Sequence, residues 1–173
     1  MIERPQPSEY APFYAGYVAA VPAGDILALL AAQPGRLARL AATIEPGRER
    51  FRYAAGKWSV REIFGHLVDA ERVFGYRAFR IGRGDATPLA SFDQEPYVVS
   101  GGYDDVPLAE AAAEFARARA SNLDAVRRAA PAAEGRAGVA SDQPVTWRAL
   151  LFILAGHVEH HLGVLVERYD VSA

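Results

Sequence analysis

Apolar residues recur at helical spacing in four long stretches of this chain, and no stretch alternates convincingly with the two-residue period of a strand. The first stretch uses Ile26, Leu29, Leu30, Leu37, Leu40 and Ile44, behind Asp25 as a cap and ahead of the stop Pro46-Gly47. Pro34 falls inside it and is expected to kink or interrupt the helix, because proline removes a backbone donor. The second stretch starts at Ser59, whose spacing to Glu62 is that of a capping box. It continues through Ile63, His66, Ala70 and Val73 to a stop near Gly82–Gly84. The third opens at Pro107, uses Leu108, Ala112, Phe115, Ala118 or Arg119, Leu123 and Val126, and ends by Pro131. The fourth is capped by Thr146 and carries Leu150, Leu154, His157, His161 and Leu165 on one face to about Tyr169.

Between these stretches the chain reads as follows. Residues 1–24 hold Pro5, Pro7, Pro12 and Pro22, so only a short helical arm is expected there, with Tyr10, Phe13, Tyr14, Tyr17 and Val18 packing on the body. Residues 85–106 form a connector too long for a tight turn between antiparallel neighbours, which predicts that the second and third helices run parallel. Phe92, Asp93, Gln94, Glu95 and Tyr97 are its residues able to reach a site. Residues 132–145 are small and polar and read as loop. The fold class expected is all-α: one four-helix bundle spanning 1–173, with a long crossover between helices 2 and 3.

Composition removes several function classes. A net charge of −2 supplies no field for nucleic acid or an acidic membrane. The cluster Arg36, Arg39, Arg48, Arg50, Arg52, Lys57 and Arg61 is interleaved with Glu45, Glu49 and Glu62 and reads as a solvated face. With no cysteine there is no disulfide, thiolate metal site or cysteine nucleophile. The N-terminus lacks the pattern of a signal peptide, and the longest apolar run is short for a membrane span, so a cytoplasmic location is expected.

All four histidines lie in two short segments, around His66 and in His157-Val158-Glu159-His160-His161. Residues four apart on a helix lie about 40° apart around its axis, so His157 and His161 share a face, and that face is the apolar stripe. A third imidazole from another helix would complete three ligands with open positions, the count of catalytic rather than structural zinc. The 157/160 pair is an alternative chelate; otherwise His160 is a proton carrier or faces substrate. Asp69, three residues after His66, is the leading outer partner for a ligating ring, with Glu71 and Glu159 behind it and Glu71 read as a surface carboxylate. Trp58 and Trp147 are expected to pack the bundle ends. There is no phosphate loop, zinc-protease motif or nucleophile elbow.

The segments Val21-Pro22-Ala23-Gly24-Asp25, Gly56-Lys57-Trp58-Ser59-Val60-Arg61-Glu62, Gly65-His66-Leu67-Val68-Asp69, Phe92-Asp93-Gln94 and Ala155-Gly156-His157 through His161 occur in one order. Together they resemble the DinB-like family of bacterial metal-binding bundles over roughly residues 10 to 170. The resemblance implies an up-down-down-up topology, often a homodimer, and one divalent metal on His66, His157 and His161; zinc and nickel both accept imidazole. It also implies activities ranging from thiol-dependent isomerases and S-transferases to presumed hydrolases.

Three functions follow as expectations. The first is S-transfer from a small cellular thiol to a small-molecule electrophile in stress or detoxification, since a cation on three neutral imidazoles keeps its charge and ionises a bound thiol. The second is metal-assisted hydrolysis with His160 or Asp69 as base. The third is non-enzymatic metal or ligand binding in a stress protein. Arg77, Gln94 and Tyr97 are the expected substrate-binding residues.

Overall fold

The computed structural model describes residues 2–129 and 131–171. Its helices are α1 (Ala15–Ala20), α2 (Ile26–Thr43), α3 (Val60–Gly82), α4 (Gln94–Gly101), α5 (Leu108–Arg127) and α6 (Trp147–Tyr169). The caps expected from sequence are made. Ser59 Oγ accepts from Glu62 N at 3.1 Å while Glu62 Oε2 accepts from Ser59 N at 2.7 Å, closing the capping box of α3. Asp25 accepts from Leu27 N, and Thr146 Oγ1 accepts from Ala149 N.

α2, α3, α5 and α6 are the four bundle helices, and polar pairs along them fix their directions. Gln33 meets Ala155, Arg36 meets Glu159 and Arg48 meets Tyr169, so α2 and α6 run parallel. Arg61 meets Asp104, Arg72 meets Glu114 and Arg83 meets Arg128, so α3 and α5 run parallel. Trp58 lies against the end of α6 at Tyr169, whereas Gly82 lies against its start at Trp147, so α3 and α6 oppose. The topology is up-down-down-up. A parallel α3–α5 pair forces the connector to travel back along the bundle, about 1.5 Å for every residue of helix it must undo.

Two elements depart from the sequence reading. The connector is not bare loop: Asp93 caps α4, and Tyr103–Asp105 forms a 3-10 turn. Within residues 132–145, expected as loop, and running on to Thr146, the chain forms an antiparallel hairpin of β1 (Ala137–Ala140) and β2 (Gln143–Thr146). Its two-residue turn, Ser141-Asp142, has φ of 53° and 59°, the mirror-image turn favoured by hairpin twist. Small residues and Pro144 hid the strand period. Leu89 of the connector adds to the hairpin, with Leu89 N donating to Val139 O at 2.9 Å.

The N-terminal arm packs on α6. A Cβ on Gly156 would stand 1.9 Å from Tyr17 O, so only glycine lets the α1 backbone approach so closely beside His157. By length and apolar composition α6 would pass as a membrane span, but most of that surface is buried within the bundle. The basic cluster is paired at four points, Arg36–Glu159, Arg50–Asp105, Arg61–Glu49 and Arg52 with Glu62 and Asp104; the Arg50 pair is solvated, as expected, whereas Arg61 and Glu49 are mostly covered.

Pro34 does not interrupt α2, which is continuous from Ile26 to Thr43. A proline deprives the carbonyl four residues earlier of its donor. Here that carbonyl is Leu30 O, and Arg119 Nη1 of α5 donates to it at 3.0 Å. Arg119 Nη1 also donates to Gln33 Oε1 at 2.7 Å, while Nε and Nη2 grip both oxygens of Glu71 at 2.8 and 2.7 Å. Gln33 Nε2 then donates to Ala155 O and Glu159 Oε1 at 2.8 and 2.9 Å. Glu71, read from sequence as a surface carboxylate, is therefore fully buried, because a buried arginine on α5 stands opposite it.

Breaking a buried ion pair by removing one partner leaves the other charge stranded, at about 3–5 kcal/mol. Arg119→Met is therefore expected to lose about that much in urea denaturation. Adding Pro34→Ala to that variant should recover on the order of 1 kcal/mol, because Leu30 O regains a donor within its own helix.

Candidate metal centre

His66 projects from the second turn of α3 into the bundle, and His157 and His161 project from consecutive turns of α6; all three are buried. Since α3 and α6 oppose, the start of α3 meets the C-terminal half of α6, and the rings converge. His157 Nε2 lies 2.9 Å from His66 Nε2 and 3.2 Å from His161 Nε2. Among the described residues these three form a cluster able to hold a metal ion.

The donor set fits a divalent cation. Nitrogens bound at 2.0–2.1 Å in tetrahedral geometry lie about 3.3 Å apart, so the pairs at 2.9 and 3.2 Å need only tenths of an ångström of adjustment. Without a cation, His157 Nε2 would have to serve two ring nitrogens with one proton or one lone pair. His161 Nδ1 is buried with no hydrogen-bond partner among the described residues. Nothing on the outer side of that ring explains its orientation, and its inward nitrogen does.

Burial disfavours the charged imidazolium, so His66 is pushed down to about 4, with His160 reinforcing the effect. Burial likewise holds His157 and His161 well below the usual imidazole value, helped by the neighbouring rings. The lone pairs are free at neutral pH and no proton competes for them. Three imidazoles without a thiolate or carboxylate are a donor set suited to a divalent transition metal.

Two cavities flank the triad. One, of about 240 Å³, reaches His161 and is bordered by Tyr53, Lys57, Trp58, Glu95 and His160. The other, of about 270 Å³, reaches His66 and His157 and is bordered mainly by aromatic rings. Gln94, at the start of α4, lines both. A larger groove of about 780 Å³ lies between α3 and α5 and includes no histidine.

The other residues singled out from sequence separate into two groups. Gln94 and His160 are at the triad; His160 is exposed, its ring centroid 5.0 Å from His161 and 5.3 Å from Tyr17. The structure thus brings His161, not His160, to the cluster. Asp69 is engaged away from the triad: its carboxylate accepts from Tyr103 Oη at 2.7 Å and lies 3.6 Å from Arg72, tying α3 to the turn before α5. Glu159 is held by Gln33 and Arg36. Arg77 is buried, donating to Ala90 O at 2.7 Å and Ser141 Oγ at 2.9 Å; it fastens connector and hairpin to α3. Tyr97 packs on Phe92, bordering a cavity that touches no histidine.

Sequence reasoning underrated three residues. Trp58, expected only to pack a bundle end, lies 4.6 Å from the His66 ring and donates to Glu95 Oε2 at 3.1 Å. Tyr17 and Phe74 stand edge-on to His157 at 5.3 and 5.6 Å. Their aromatic type was visible; their neighbours were not.

Elemental analysis of the purified protein should find one divalent ion per chain, and His157→Ala should weaken zinc binding more than about 100-fold. The metal-free protein should also lose stability in acid. Folded imidazoles depressed below the unfolded value of about 6.5 make the unfolded chain bind protons first. They cost the fold nothing above about pH 6.5; below it stability falls with pH, and the share of the loss that belongs to His66 is complete near pH 4. His66 alone should account for about 2 kcal/mol of loss at pH 5, measured by urea denaturation with a chelator present. His66→Asn should remove about that much of the pH dependence, leaving the part that belongs to His157 and His161.

Comparisons with known proteins agree with this geometry. A family profile described as the DinB superfamily matches residues 29–165. Among solved structures, YfiT from Bacillus subtilis superimposes with a TM-score of 0.76 at 14% identity, covering 97% of this chain and 92% of that one. It is described as a probable metal-dependent hydrolase with an unusual four-helix bundle topology. No curated protein matches the sequence. With the profile spanning most of the chain, this protein belongs to the DinB superfamily.

Proposed function

We propose that this chain is a metal-dependent hydrolase of a small ester or amide. The observation that carries the reading is the convergence of three neutral, buried imidazole nitrogens at 2.9 and 3.2 Å, open on two sides to cavities of small-molecule size. The description of YfiT supports the same reaction class.

His66, His157 and His161 would hold the ion, which would supply Lewis-acid polarisation of a carbonyl and a lowered pKa for water. Around them the chain's own groups divide the work. His160 stands at the edge of the cavity that reaches His161 and is exposed, so it can take a proton from an attacking water and pass it to solvent or to the leaving group. Gln94 presents its amide to both cavities and can orient a substrate carbonyl. Trp58, braced by Glu95, covers His66 and limits water on that side. Asp69 takes no part, since Tyr103 and Arg72 occupy it.

S-transfer from a small thiol, expected first from sequence, uses the same ion but needs a recognition element for the thiol. No residue bordering either cavity singles one out, which is why hydrolysis is preferred.

Zinc-loaded protein is expected to cleave activated aryl esters without added thiol. His160→Gln should lower kcat about 100-fold or more while leaving zinc affinity unchanged. Turnover that appears only with a low-molecular-weight thiol would replace hydrolysis by S-transfer. No turnover with either would leave a binding protein.

A further inference from the structure

The two cavities beside the triad differ in chemistry. The one at His161 is mixed and polar. The one at His66 and His157 is walled by Phe13, Tyr14, Tyr17, Phe74 and Phe92, with Asp93 as its charged residue. Phe74 meets Tyr14 and Phe92 edge-on at 6.1 and 6.2 Å, and Phe13 meets Tyr14 edge-on at 5.2 Å. Rings arranged edge-to-face offer faces and edges to a further ring.

We propose that this aromatic chamber is the subsite for an aryl or similarly flat, uncharged group of the substrate, attached to the carbonyl that reacts at the histidines. The proposal rests on the hydrolase reading for what happens to the carbonyl, but not for what fills the chamber.

Three observations select this ligand class. The first is position: Tyr17 and Phe74 stand edge-on to His157 at 5.3 and 5.6 Å, so a ring lodged among them ends beside the triad. The second is size: a cavity of about 150 Å³ already admits benzene, and this one, at about 270 Å³, holds one ring with its linking carbonyl. The third is charge. Aromatic faces beside a carboxylate also suit an organic cation. Here the guanidinium of Arg77 already lies 5.8 and 5.7 Å from the Phe74 and Phe92 rings. Asp93 is engaged as the cap of α4, accepting from Glu95 N at 3.1 Å. A divalent ion in the triad would repel a further cation. A neutral flat group meets none of these objections.

The chamber is built rather than incidental. Its outer wall is the N-terminal arm, fixed by the contact of Tyr17 O with Gly156 and by Glu9, which accepts from Thr146 Oγ1 and Arg148 Nε at 2.7 Å each.

The test is direct binding of 4-fluorobenzamide to the zinc-loaded protein, followed by fluorine NMR, with cyclohexanecarboxamide as the saturated competitor. The aryl amide should bind at least about tenfold more tightly than the saturated one. Phe92→Ala and Tyr14→Ala should each weaken it about two- to tenfold, and Phe79→Ala, an exposed ring elsewhere on α3, should leave it unchanged. Should Tyr14→Ala fail to fold, Phe92→Leu serves in its place. Equal binding of the two amides, or indifference to Phe92 and Tyr14, overturns the proposal. Ester cleavage that does not distinguish benzoyl from cyclohexanecarbonyl groups also overturns it while leaving hydrolysis intact. Aryl-selective binding without cleavage upholds the subsite and removes the hydrolase reading.

Discussion

A single guanidinium in the middle of the bundle, that of Arg119, fixes how the four long helices sit against one another. It grips Glu71 on α3 with two nitrogens and reaches Leu30 O and Gln33 Oε1 on α2 with the third. Gln33 carries the connection to Ala155 and Glu159 on α6, one on either side of His157. A buried ion pair of this kind contributes little net stability over an apolar replacement. What it supplies is register. A slide of α2 or α6 by one turn would strand a charge and several hydrogen-bonding groups at once. Because His157 lies between these two anchors, its ring inherits their register, and His161 follows one turn on.

The triad is itself an expensive thing to bury. Three polar rings lie in the core, and one of them, His161, has an outer nitrogen without a partner among the described residues. Burial holds all three neutral, which is the protonation state a cation requires. Desolvation thus opposes the fold in acid and prepares the site at neutral pH. The parallel α3–α5 pair adds a second consequence. The returning connector must cross the molecule, and it does so over the histidines, placing Phe92, Asp93, Gln94 and Glu95 at the cavity rims.

Much of the site was legible because its signals are local. His157 and His161 share a helix face by spacing alone, and the capping box at Ser59 fixes the phase of α3 and with it the inward direction of His66. Asp69, Arg77 and Tyr97 were judged by chemical type and proximity in sequence, and the structure gives them other neighbours than the histidines. Asp69 sits on the side of α3 that faces Tyr103, and Arg77 on the side that meets Ala90 and Ser141. Which neighbour a helical side chain meets depends on what packs there, and helical phase does not state it. Trp58 and Tyr17 were undervalued for the same reason.

By itself the sequence determined the four helices, their caps, the long crossover and the two histidine segments, because hydrophobic period, capping and turn chemistry act over a few residues. Only the tertiary structure decided that Pro34 could sit inside an unbroken α2, because the donor that satisfies Leu30 comes from α5, 89 residues along the chain. It also decided that Glu71 is buried, that residues 137–146 pair as a hairpin against Leu89, and that the arm and connector close an aromatic chamber over His157. Each of these depends on a partner distant in sequence, and no local pattern records such a partner.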